Sequence, residues 1–230
     1  MGFESFYANT TGIDNVAIGG DALKANTTAA SNTAVGKSAL AANTTGDQNT
    51  AMGQNSMDAN TTGRNNTSYG MSSLSANTTA AENCAVGVNA LFGNTTGAAN
   101  TSLGTYSLQN NTTAANNTAV GYKALFANTT GANNIGIGSS AGINVVTGGD
   151  NVFIGAFSGD NTTGSQNVLI GSSTSTSSAG GGNQIAIGQN VTGSGNGNFT
   201  FGDGTTDSNI AFGATSITAP SDIRLKEDIQ

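Results

Sequence analysis

Apolar positions recur along most of the chain at a fixed step of 17 residues. The step is clearest at a glycine that closes pentapeptides such as NVAIG, NTAVG and NCAVG, and the tripeptide NTT repeats with the same period. The glycines are Gly2, Gly19, Gly36, Gly53, Gly70, Gly87, Gly104, Gly121, Gly138 and Gly155. Self-similarity at a fixed period indicates units that stack on their neighbours. We therefore predict an all-β chain, folded as a parallel β-roll or β-solenoid of 17-residue coils.

Two apolar rows run through these coils. Side chains alternate between two faces of a strand, and the position before the glycine is apolar in copy after copy, so we expect it to form an interior stripe. A second row follows the glycine by four residues and predicts a second short strand or bend. These rows include Val35, Val86, Val120, Leu40, Leu91 and Leu125. Two such rows are enough to close a flat roll.

The other face of the predicted strand carries only small side chains. They include Ala17, Ala34, Ala51, Ala85 and Ala119. A strand face open to water tolerates large polar residues, so this row indicates a second backbone packed closely against it. Each coil also has too few large apolar side chains to offset its own ordering unless neighbouring chains share the burial. We expect the alanine row to be the seam of a homotrimer, with three chains side by side around a fibre axis.

The polar residues of the repeat predict stacked hydrogen bonds. Coils about 4.8 Å apart would bring the asparagines into side-chain amide ladders and let threonine hydroxyls exchange hydrogen bonds. We interpret NTTG first as a turn, because asparagine and glycine tolerate positive φ. NTT also matches the glycosylation acceptor pattern, although we find no signal for a secretory route.

The spacing changes after Gly155, which divides the chain into three parts. We predict a regular roll over residues 1–155, irregular and tapering β repeats over 156–213, and a linker with the start of another domain over 214–230. Phenylalanines appear in the second part, as at Phe153, Phe157, Phe199, Phe201 and Phe212. They fit either a tapering or interleaved end, or a simple closure of the solenoid.

Composition excludes several kinds of chemistry. The chain has no histidine and one cysteine, so we expect no histidine base, zinc site, disulfide framework or cofactor. Its net charge of −7 and scattered basic residues argue against nucleic acid as a partner. No apolar run approaches the roughly 20 residues of a spanning helix, so we expect no membrane insertion. We interpret Cys84, which replaces a threonine of the repeat, as a small inward-facing residue.

The repeated pentapeptides, as in residues 15–19 and 32–36, resemble the YadA-like head repeat of trimeric autotransporter adhesins and related phage tail-fibre shafts. That resemblance implies a parallel β-roll in each chain and three rolls around one axis. It further implies a structural and adhesive fibre protein of a virion tail or cell exterior, involved in host attachment. Its partners would be two further copies, other virion tail proteins and a bacterial surface glycan or receptor.

The final segment, APSDIRLKEDIQ, resembles the opening of the peptidase S74 intramolecular chaperone domain of phage fibres and spikes. In that family the domain assists trimerisation and then cuts itself off between a serine and an aspartate. The resemblance implies cleavage between Ser221 and Asp222, with Ser221 as nucleophile and Lys226 as its base. A solvated helix start with Ser221 as N-cap is the other interpretation. Because only the opening of the domain is present, we expect no enzyme activity of this chain.

Two other functions compete with the fibre. A polysaccharide depolymerase would need paired carboxylates, for which the candidates are Asp203 with Asp207 or Asp150 with Asp160. An ice-binding solenoid would use regular threonine rows to order water. A calcium-binding β-roll is weaker still, because such rolls repeat aspartate in every coil.

Overall fold

Thirteen short strands stack in chain order to form one sheet in the computed structural model, which describes residues 2–214. Strands β1 to β12 are parallel, and β13 pairs antiparallel with β12. The strands are β1 (Val16–Ile18), β2 (Thr33–Val35), β3 (Thr50–Met52), β4 (Thr67–Tyr69), β5 (Cys84–Val86), β6 (Thr101–Leu103), β7 (Thr118–Val120), β8 (Ile135–Ile137), β9 (Val152–Ile154), β10 (Val168–Ile170), β11 (Ile185–Gly188), β12 (Asn198–Gly202) and β13 (Ser208–Ala211). No helix occurs within these described residues. The predicted all-β solenoid is confirmed.

The register of the sheet reproduces the period of the sequence. Thr33 pairs with Thr50 and Ala34 with Ala51, a step of 17 residues. The step falls to 16 where Val152 pairs with Val168. Each coil therefore contributes one strand to the sheet and returns to it through turns, one strand spacing further along the axis.

The strand faces are the reverse of those we predicted. The middle alanines, Ala34, Ala51, Ala85 and Ala119, are completely buried inside their own chain, and Ala17 in the first coil is partly buried. The interpretation of this row as a seam between chains was wrong. The third strand residues point outward instead: Val35 and Val120 are half-buried and Val86 is 39% exposed.

The physical reason for the reversal is the leucine row, which fills the interior of each coil. Leu40, Leu91 and Leu125 are fully buried, as predicted. A Cβ added at Gly136, which occupies the alanine position, would lie 2.8 Å from Cγ of Leu125. Only a small side chain fits opposite a leucine in such a narrow coil, so smallness here reflects packing within one chain.

The leucines sit in turns rather than in a second strand. Leu40 has φ 51, and Ser38 and Gln48 in the same coil have φ 59 and φ 58. These left-handed residues turn the chain back to the sheet. Such a backbone costs roughly 1–2 kcal/mol for a residue other than glycine, and burial of the leucine offsets that cost.

The glycines of the repeat directly follow the strands, where each coil begins its turn. Gly19, Gly36 and Gly53 have φ of 126, 137 and 140. A Cβ at Gly36 would overlap the carbonyl oxygen of Gly53 in the next coil. Glycine is required here because of both the backbone conformation and the close approach of the stacked chain.

Buried asparagines form the predicted ladders. Nδ2 of Asn60 donates to Oδ1 of Asn43, at 2.9 Å, and to the carbonyl of Gly63, at 3.0 Å. A second ladder runs beside the strands, where the backbone N–H of Asn66 donates to Oδ1 of Asn49 at 3.1 Å. The interior of the coils is thus partly polar, and most of its buried side-chain amides form hydrogen bonds within and between coils.

Candidate functional site

The outward face of the sheet is one candidate surface. Its principal feature is the outer apolar row, which consists of the third residue of each of the first eleven strands. These are Ile18, Val35, Met52, Tyr69, Val86, Leu103, Val120, Ile137, Ile154, Ile170 and Ile187. Most of them are more than a third exposed, Tyr69 by 43%. An exposed apolar stripe of this length is a candidate interaction surface.

Cys84 lies beside this row, on the outward face. It is the first residue of β5 and is half-buried, so the interpretation of an inward-facing cysteine was wrong. Partial burial raises the pKa of its thiol above the ordinary value. Desolvation disfavours the thiolate, which lowers the reactivity of this cysteine at neutral pH.

A second candidate is an aromatic pocket on the turn segments that follow β6 and β7. The pocket has a volume of about 390 Å³ and is lined by Tyr106, Gln109, Tyr122, Lys123 and Phe126. The rings of Tyr106 and Tyr122 meet edge to face, with centroids 6.0 Å apart. Nζ of Lys123 lies 5.4 Å from the ring centroids of both Tyr122 and Phe126.

The pocket could have been found in the sequence by aligning the coils. Tyr122 and Phe126 occupy positions that hold Lys37 and Ala41 five coils earlier. Tyr106 stands one coil before Lys123 at the same repeat position. These aromatics were not predicted as a site. They occupy three different positions of the repeat and form a cluster only when coils stack.

Among the candidate carboxylates, Asp203 has surroundings that do not suit a general acid. Oδ1 of Asp203 accepts hydrogen bonds from the hydroxyl and backbone N–H of Thr205 and from the N–H of Thr206. These bonds, the Thr205 hydroxyl first, hold the pKa of Asp203 below its ordinary value. A glycosidase acid needs the opposite shift. Oδ1 of Asp207 accepts the N–H of Gly204, and Oδ1 of Asp150 accepts Nδ2 of Asn133.

Threonine rows follow the NTT corner. Thr44 is half-buried, and its hydroxyl donates to the carbonyl of Thr61 in the next coil at 3.1 Å, rather than to another hydroxyl. Its neighbour Thr45 is exposed. The NTT asparagines between Asn26 and Asn128 are buried, so the folded coil shields these glycosylation acceptor amides. One exposed threonine row remains available to water.

The predicted cleavage residues Ser221, Asp222 and Lys226 lie outside the described residues. Within residues 2–214, no group of three or more acidic, cysteine or histidine side chains is placed to hold a metal ion. The same residues contain no helix long and apolar enough to cross a membrane. No protein family model, curated protein or solved structure matches the chain.

Proposed function

We propose that the chain is a shaft segment of an elongated extracellular or virion fibre, built from three copies that pack through their outer apolar rows. The observation that carries the proposal is the long apolar stripe on the outward face of the sheet. The resemblance of the repeat to trimeric adhesin heads and phage fibre shafts supports the same assembly. The function is mechanical: the segment provides length and stiffness between other parts of a fibre.

The stiffness of such a shaft follows from the coil-to-coil bonds. The regular coils are joined to one another by strand hydrogen bonds and by the asparagine ladders, as at Asn43 and Asn60. Bending the rod would stretch these bonds on one side, and each buried polar group that lost its partner would cost roughly 1–3 kcal/mol. Repetition of identical coils therefore makes a rod that resists bending and local unfolding.

The molar mass in native buffer, measured by light scattering, tests the assembly. We expect about three times 22.6 kDa. A chain that stays monomeric at micromolar concentration would refute the trimeric shaft, because the exposed apolar row would then have no partner among its own copies.

A pair of lysine variants tests the surface. Val86→Lys places a charge in the outer apolar row, and desolvating it in a seam costs several kcal/mol. We expect this variant to sediment as a monomer. Thr96→Lys is the matched control, because Thr96 is exposed on the NTT corner and should leave the trimer intact. Far-UV circular dichroism checks that both variants keep the sheet. If Thr96→Lys were monomeric while Val86→Lys stayed trimeric, the interface would not lie on the outer apolar row.

A further inference from the structure

We propose that the aromatic pocket formed by Tyr106, Gln109, Tyr122, Lys123 and Phe126 binds an acidic saccharide, with a sugar ring on the aromatic faces and its carboxylate on Lys123. The proposal deepens the fibre function and rests on it for its setting at a cell surface. The binding test itself does not depend on the number of chains in the assembly.

The aromatics of the pocket are not needed for the core. Tyr122 is 49% exposed, and Tyr106 and Phe126 are half-buried on the outside of coils whose interiors are filled by Leu108 and Leu125. One coil earlier the same repeat positions hold Asn89 in place of Tyr106, Thr105 in place of Tyr122 and Gln109 in place of Phe126, so the three rings come together only here. A solenoid that only stacks has no use for three aromatic rings on its surface.

Tyr106 also occupies an unfavourable backbone conformation. Its φ is 62, a left-handed value that asparagine tolerates better than a bulky aromatic residue. The same repeat position is left-handed at Asn89 and Lys123 in the adjacent coils, so the conformation belongs to the turn, and Tyr106 differs from Asn89 in placing a ring there.

The residues that line the pocket suit the apolar ring face, the hydroxyl groups and the negative charge of a sugar acid. The C–H bonds on one face of a pyranose are weakly positive and pack on the negative face of an aromatic ring. Gln109 supplies an amide donor and acceptor for ring hydroxyls. Lys123 supplies a positive charge in a chain of net charge −7, and it forms no ion pair with any residue in 2–214. The pocket volume lies within the range of small-molecule sites.

The position of Lys123 explains the preference for an anion. Its ammonium group lies over both Tyr122 and Phe126, so it stays at the pocket wall while one face remains open to solvent. A carboxylate held there gains a charge-assisted bond that a neutral sugar lacks. We therefore expect discrimination between a sugar acid and its ester.

Isothermal titration calorimetry of the full chain with a galacturonic acid trisaccharide tests the proposal. The expected dissociation constant is about 1 mM or tighter, with the methyl-esterified trisaccharide at least about fivefold weaker. Tyr122→Ala and Lys123→Gln should each weaken binding of the acid by about tenfold or more, and Lys123→Gln should remove the preference over the ester.

Two surface variants serve as controls. Lys37→Gln removes a lysine at the repeat position of Tyr122, five coils earlier, and Tyr7→Ala removes an exposed tyrosine near the start of the chain. Both should bind the acid as the parent chain does. Equal affinity for acid and ester, absence of binding to both, or equal losses in the control variants would each overturn the proposal. Because Lys123→Gln alters only a surface side chain, it remains informative if Tyr122→Ala does not fold.

Discussion

Substitution of Phe153 tests how side chains fill the interior of the solenoid. Phe153 occupies the small-residue position of its coil and is fully buried. The leucine position of the same coil holds Gly159, and the leucine position one coil earlier holds Gly142. A Cβ added at Gly159 would overlap the ring of Phe153, and one added at Gly142 would lie 2.6 Å from its Cδ2. One ring thus replaces the missing leucine side chains.

This packing predicts a strong coupling between Phe153 and Gly159. Phe153→Ala should cost about 3–5 kcal/mol, because glycines cannot refill the space left by the ring. Gly159→Leu alone should cost about 1–3 kcal/mol, because the new side chain collides with the ring. The double variant restores the alanine and leucine of the regular coil but leaves Gly142 without a side chain, so it should lie within about 2 kcal/mol of the parent chain. The free energy of coupling would then be about 2 kcal/mol or more, favouring the pair.

Urea unfolding followed by far-UV circular dichroism measures these free energies, at one protein concentration because the proposed assembly would contribute to stability. The parent chain, both single variants and the double variant complete the cycle. Additive losses in the double variant would refute the reasoning, since they would mean that ring and leucine do not compete for the same space. Phe157→Ala is a suitable control, because that ring is 49% exposed and should contribute less.

Three further predictions concern the stacked rows. Gly36→Ala should lower the free energy of unfolding by more than about 1 kcal/mol, as measured by urea unfolding, because its methyl group would overlap the next coil's backbone. Asn66→Ala should cost about 3 kcal/mol in the same assay, since loss of its side-chain amide leaves the carbonyl of Ala80 and the N–H of Asn83 without this partner, whereas Thr62→Ala on the surface should change stability by less than about 0.5 kcal/mol. Cys84 should react with Ellman's reagent more slowly than a Thr45→Cys thiol in a Cys84→Thr background, because burial raises the pKa of Cys84 and lowers its thiolate fraction. The rate at Cys84 should rise with pH as the thiolate forms. Equal rates for the two thiols would contradict this prediction.

Much of the fold was predictable because the chain repeats. The 17-residue period determines the register of the parallel strands, and the pairing of Ala34 with Ala51 follows it directly. The asparagine ladders also follow from stacking, since identical residues one coil apart must meet. The buried leucine row needed only the rule that large apolar residues avoid water.

The direction of the strand faces was not predictable from alternation alone. Alternation states that Ala34 and Val35 point to opposite sides, but it does not say which side is the interior. Which strand face lies inside depends on Leu40, which reaches the interior from a turn and has φ 51. A left-handed conformation at leucine is unfavourable on its own and has no signal in a single sequence, so the occupant of the interior was missed. The aromatic pocket was missed for a related reason, since it depends on turn geometry across two coils.

The reversal of the faces strengthens the case for assembly rather than weakening it. Had the alanine row been the outer one, two chains could approach closely but would bury little apolar area, because a methyl group contributes little. The outward row instead carries valine, leucine, isoleucine, methionine and tyrosine along β1–β11, and each of these side chains would lose water in the proposed assembly. Each coil along the axis adds one such apolar side chain to the outward row. The free energy of association should therefore grow with the number of coils, and a chain shortened by several coils should dissociate at a higher concentration than the full one.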